Sequence, residues 1–190
     1  MTLFEYLSVL ASIILSLSAA QLLTRVQSVL NPKKQYWVHS FWVFFVLLLH
    51  LLIWWEFWGY RDVVSWNIVN FGLLLINPVI LFVCSNALVN SESTEIEDWL
   101  EHFYEARKTI FITLGLLPLA SVLRRLVLSD LPILRSENLP ELFFALLFLA
   151  GFLHSGKRVH AAIVIASWLL VLYVTISVWY QPGAVVNPSH

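Results

Sequence analysis

The chain holds a single cysteine, Cys84, among its 190 residues. One cysteine rules out an intrachain disulfide framework. Cys84 falls inside an apolar stretch and reads there as a small buried residue. Charge is also scarce. Asp, Glu, Lys and Arg make up 12% of the chain, about half the usual share of a soluble domain. The net charge is −1 and long basic runs are absent, so the footprint of a nucleic-acid-binding protein is missing. Catalytic signatures are missing too. There is no G-x-S-x-G, H-E-x-x-H, P-loop or dinucleotide fingerprint, and no C-x-x-C-H for covalent haem attachment.

What the chain has is apolar length. Hydrophobic residues reach 59%, against about 45–50% in soluble domains, and they come in blocks rather than stripes. A helix needs about 20 apolar residues to cross the hydrocarbon core. The blocks predict about six membrane-spanning helices in one integral membrane domain over 1–190, an all-α transmembrane bundle. The spans fall near 3–30, 36–58, 66–89, 109–128, 139–154 and 160–180. The first block lacks a positive n-region and carries Glu5, so it reads as a permanent helix and not a cleaved signal. Asn31-Pro32 ends it, because proline disfavours helical geometry in the residue before it.

Between the third and fourth spans the stretch 90–108 turns acidic. Thr94 with Glu97 has the spacing of a capping box, and Ile96, Trp99, Leu100 and Phe103 recur at helical spacing. These predict a short amphipathic helix over about 94–107, lying on the membrane surface.

Orientation follows from the basic residues, which concentrate in cytoplasmic loops. With six spans and the N-terminus outside, Arg25, Lys33, Lys34, Arg107, Lys108, Lys157 and Arg158 lie inside, and Arg61, Arg124, Arg125 and Arg135 outside. That ratio favours an outer N-terminus in a bacterial-type inner membrane. Dropping the fourth span gives a slightly better ratio, but strands Ile110 to Leu123 without a crossing.

Few polar residues fall within the spans. Ser8, Ser12 and Ser16 recur every fourth residue and predict a close-packing helix face. His50 sits roughly 21 Å along the second helix from Tyr36, at 1.5 Å per residue. An ionisable side chain at that depth is a candidate for proton transfer or metal ligation. Glu56 is turned some 240° away from it at about 100° per residue. It is expected to pair with Arg61 or with an arginine of the fourth helix. Arg124 and Arg125 cost about 2.5–3.5 kcal/mol each at the bilayer centre and are expected to snorkel from the helix end. Asn70 and Asn77 share a face of the third helix, where Pro78 predicts a kink. Asp98, His102 and Glu105, with Glu101 adjacent, have the spacing of a cation or partner site on one helix face.

These features lead first to a non-catalytic membrane component that binds partners or lipids. The alternative is a transporter or channel, homo-oligomeric and proton-linked, using a polar seam around His50 and Asn77. A haem or other redox protein is the least favoured reading, since His39, His154 and His160 sit at other depths than His50 and His102 lies in the surface segment. No cofactor, metal or catalytic residue is assigned. The expected partners are lipids and further copies or subunits of a membrane complex.

Overall fold

Six helices form in chain order: α1 (Leu3–Val29), α2 (Trp37–Phe57), α3 (Ile68–Val89), α4 (Trp99–Ser129), α5 (Leu139–Leu153) and α6 (Lys157–Ser177), with a short 3₁₀ turn over Trp58–Tyr60 after α2. The computed structural model describes residues 3–63, 66–90, 96–129, 138–177 and 180. No strand occurs among them. The protein is an all-α helical bundle.

The helix ends have local causes. Asn31 closes the turn after α1, its Oδ1 accepting from the Lys33 N–H at 3.1 Å. Asn67 caps α3, its Oδ1 accepting from the Val69 and Asn70 N–H groups at 3.0 and 2.9 Å. Asp98 does the same for α4, accepting from the Leu100 N–H at 2.7 Å. A carboxylate there also suits the positive end of the helix dipole. The expected capping-box residue Thr94 lies outside the described residues.

Five helices are long and apolar enough to cross a membrane: α1, α2 with its 3₁₀ turn, α3, α4 through Val127, and α6. The fourth block forms one of these long helices, and the short helix is the fifth. α5 has 15 residues, a rise of roughly 22 Å at 1.5 Å per residue, against a hydrocarbon core of about 30 Å. Its end is held by Arg107 of α4. That guanidinium donates to the carbonyls of Gly151 and Phe152 at 3.2 and 3.1 Å, and to that of His154. A cation on the last carbonyls suits the negative end of a helix.

The acidic stretch departs from the expected surface helix. From Trp99 onward it is the opening of α4, which continues without a break through the fourth span. The reason is packing on one side. Trp99, His102 and Phe103 are buried. The Trp99 indole donates to the Ser28 carbonyl at 2.9 Å, the Trp99 N–H donates to the Lys34 carbonyl at 3.1 Å, and Lys34 Nζ donates to the Ile96 carbonyl at 3.2 Å. The start of α4 is thereby pinned to the turn between α1 and α2.

α3 packs between α1 and α4, α4 packs on α5, and α2 crosses α1, α3 and α6. The core is aromatic where α2, α4 and α5 meet. Trp42 lies edge-on to Phe45 and Phe111, and Phe144 stacks on Phe148. Gly151 lets α5 approach α4: a methyl group there would overlap the Phe111 ring. Leu, Ile and Phe side chains project outward from every helix, as lipid-facing surfaces require.

Candidate functional site

Two polar assemblies lie inside the bundle, and the sequence had named one member or two of each. The first is built on His50. Its Nδ1 is 2.7 Å from the Val46 carbonyl and its Nε2 is 2.7 Å from Ser18 Oγ. A carbonyl only accepts, so in the neutral ring Nδ1 carries the proton and Nε2 accepts from Ser18. Ser85 Oγ lies 2.9 Å beyond Ser18 Oγ. The chain Ser85–Ser18–His50 therefore ties α3, α1 and α2 together. Both ring nitrogens are engaged by protein atoms.

Ser18, which carries this link, is not in the predicted serine stripe. The packed face of α1 is Leu7, Ala11, Leu15, Ser18 and Leu22, at steps of three and four. Ser8 and Ser12 sit beside it and donate to the carbonyls of Phe4 and Ser8 on their own helix, and Ser16 is exposed. The stripe is corrected to its neighbouring face. Ser12 and Ser16 line a groove of about 300 Å³ between α1 and α2, with His50 and Trp54.

The second assembly is a charge network at the C-terminal end of α2. Arg124 and Arg125 are each 1% exposed, Glu56 10% and Glu141 9%. Arg124 Nη2 is 2.6 Å from Glu56 Oε2, and its Nε donates to Tyr60 Oη at 3.0 Å. Arg125 Nε donates to Asn138 Oδ1 at 2.9 Å. Its Nη2 lies 2.7 Å from Glu141 Oε1 and its Nη1 3.8 Å from Glu56 Oε1. The arginines were expected to snorkel outward, but they turn inward. An arginine at a buried position needs a carboxylate and further acceptors, and α2 and α5 provide both. Two arginines and two glutamates leave the network neutral. Arg61, the other partner considered for Glu56, pairs with Asp62 at 3.3 Å on the surface.

A cavity of about 60 Å³ opens beside the network. Its walls are mostly apolar, from Phe45, Leu52, Leu114, Phe144 and Val171, and its polar lining is Glu56, Asn77, Ser121 and Glu141. Asn77, next to Pro78, donates through Nδ2 to Ser121 Oγ on α4 at 2.8 Å. Asn77 Oδ1, Glu56 Oε1 and Glu141 Oε2 are buried and accept no hydrogen bond from the described residues. Asn70, predicted on the same face, is half-buried near the start of α3. His50 and Asn77 were expected to share one seam, but His50 lines the groove and Asn77 the cavity.

The remaining candidates separate. His102 is buried and its Nε2 lies 3.0 Å from the Leu88 carbonyl. Asp98, Glu101 and Glu105 are exposed, and Asp98 is used as the α4 cap. The expected quartet is thus split between core and surface, because Trp99 and Phe103 decide which side of α4 turns in. Among the described residues no group of three or more His, Cys, Asp or Glu is placed to hold a metal ion. At the same end, His39 stacks on Trp99 with ring centroids 4.8 Å apart, and His160 stacks on Phe111 at 5.2 Å. Tyr36, just before α2, has its phenol raised above the ordinary range by burial and by Tyr104.

No family model, no curated protein and no solved structure matches this chain.

Proposed function

We propose that this is a small membrane transport protein whose site is the internal cavity and the charge network beside it. The observation behind this reading is the combination of four charged side chains, none more than 10% exposed, with a cavity whose lining holds unengaged acceptor atoms. Charges within a membrane-embedded bundle are expensive, and they mark ion and substrate pathways. A network serving packing alone is best fully satisfied. This one leaves polar atoms without hydrogen-bond partners on residues that line a cavity. The reading shifts the polar seam from His50 to Glu56, Asn77, Ser121 and Glu141.

The orientation with an outer N-terminus in a bacterial-type inner membrane belongs to the same proposal. Arg124 and Arg125 are paired inside the bundle and are not loop charges. Two of the four arginines counted against this orientation therefore leave the tally.

The test is solute and ion flux in liposomes holding the purified protein, wild type beside Asn77→Ala. A flux above protein-free liposomes that falls in Asn77→Ala supports transport through the cavity. Equal flux with and without protein, across proton, sodium, potassium and small organic solute gradients, sinks it.

A second reading, binding of a partner protein, is favoured by one observation. Asp98, Glu101 and Glu105 form an exposed acidic face at the start of α4, and a basic partner complements such a face. Loss of a co-purifying protein on neutralising all three would move this reading to the front.

A further inference from the structure

We propose that the coupling ion of this site is the proton and that Glu141 is the group that takes it up. The inference rests on the transport reading of the cavity and narrows it to one ion and one residue.

The cavity is lined by acceptors. Each carboxylate has one oxygen held closely by an arginine: Glu56 Oε2 by Arg124 at 2.6 Å and Glu141 Oε1 by Arg125 at 2.7 Å. The other oxygen of each accepts no hydrogen bond from the described residues, and neither does Asn77 Oδ1. The unengaged atoms of the cavity lining are thus acceptors, and the unengaged donors beside them, Arg124 Nη1 and Arg125 Nη1, belong to the two guanidiniums of the network. A volume of about 60 Å³ holds a few waters, since one water needs about 10–15 Å³ on this measure. Water can therefore carry a proton to the carboxylates. A metal cation suits the site poorly. With two carboxylate oxygens held by arginines, four side-chain oxygens remain on Glu56, Glu141, Asn77 and Ser121. Calcium takes about 6–8, and the two guanidiniums repel any added cation.

Between the two carboxylates, the surroundings favour Glu141. Glu56 faces both arginines, Arg124 at 2.6 Å and Arg125 at 3.8 Å, while Glu141 has the close ion pair with Arg125. More positive charge makes a carboxylate harder to protonate. The charged groups around Glu141 are Arg125 on α4, with which it pairs, and Glu56 on α2, which lines the same cavity. Arg124 pairs with Glu56 in turn, and Tyr60 meets Arg124. From α3 and α6 the cavity receives Asn77 and Val171, neither of which titrates.

The step balances simply. A proton from cavity water adds to the unengaged Oε2 of Glu141, giving a neutral carboxylic acid and a network of charge +1. Arg125 then has no carboxylate on α5. Its Nη1 is already 3.8 Å from Glu56 Oε1, so the guanidinium can close on Glu56 instead. Proton uptake thus exchanges an α4–α5 ion pair for a stronger α4–α2 one, a change a transport cycle can use.

The experiment is pH-difference infrared spectroscopy of the full chain in lipid. Acidification is expected to raise a carboxylic-acid C=O band above the position of exposed acids. That band is expected to vanish in Glu141→Gln and to remain in Glu56→Gln. Should Glu141→Gln fail to fold, Glu141→Asp serves, with the band kept and its frequency or midpoint moved. A wild type without the band, or a band unchanged in the Glu141 variants, overturns the assignment. Because the readout is protonation, an absent liposome flux with the band present rejects transport and leaves the proton site standing.

Discussion

Ser18 shows how one residue can bind three helices without leaving a mark in the sequence. Its hydroxyl lies between His50 Nε2 and Ser85 Oγ and the residue is fully buried. The stripe Ser8, Ser12, Ser16 is regular and draws the eye, but regularity along a helix does not tell which face meets a neighbour. On α1 the buried face is set by Leu7, Ala11, Leu15 and Leu22, and Ser18 lies on it. Substituting Ser18 with Ala removes the partner of His50 Nε2. Interhelical hydrogen bonds in membranes are worth about 0.6–2 kcal/mol, and Ser18→Ala is expected to lose stability by about that much. Ser8→Ala, which removes a bond within one helix, is expected to stay within about 0.5 kcal/mol of wild type. Unfolding of both variants in mixed micelles gives the comparison, and equal losses would mean that the Ser18 link carries no stability. His50 itself was legible, because an imidazole in a long apolar run has no other explanation than a partner. That partner was not, since nothing in one sequence pairs residues 32 positions apart.

At the scale of elements, what the sequence made legible was length and hydropathy. The ends of α1, α2 and α3 fall within a residue or two of the expected spans, because proline, asparagine and interfacial tryptophans mark them. The start of α4 was not legible. Acidic residues at helical spacing look like a surface helix, and here they are the exposed side of a helix whose other side packs on α1 and α2. The inward turn of Arg124 and Arg125 was hidden for a related reason. An arginine near a helix end can snorkel or pair; Glu56 was a legible partner for one of the two, and Glu141 on α5, which meets Arg125, was not. The contact between α4 and α5 rests on Gly151. A side chain at that position meets Phe111, and a rigid aromatic ring in a packed core has little room to move. Gly151→Leu is expected to cost about 1–3 kcal/mol by overpacking and to separate α5 from α4. Gly115→Ala is the control, since a Cβ there would lie at an ordinary 3.8 Å from Phe148 Cβ. Unfolding midpoints that rank Gly115→Ala near wild type and Gly151→Leu well below it would establish the contact; no difference between the two would count against it.

For the whole molecule the open physical matter is whether α5, shorter than the hydrocarbon core, still reaches from one side to the other. The contacts argue that it does. Its C-terminal carbonyls meet Arg107, near the end of α4 that is pinned to the turn after α1. Its N-terminal Glu141 meets Arg125, near the other end of α4. α5 therefore runs antiparallel to α4 and spans the distance between its two polar ends. A short helix accommodates by local thinning of the bilayer or by snorkelling flanks, and buried charge at Arg125 and Glu141 draws the water interface inward on that side. This predicts that the turn at Ser155 lies on the same side as Lys33, and Asp62 on the opposite side. All three are exposed. With Cys84 replaced by Ala, single cysteines at 33, 62 and 155 can be labelled with a membrane-impermeant maleimide in intact cells and in inverted vesicles. Positions 33 and 155 are expected to label together, from the face opposite to 62. Labelling of 155 together with 62 would make α5 a re-entrant helix, and the cavity above Glu141 would then open to that side alone.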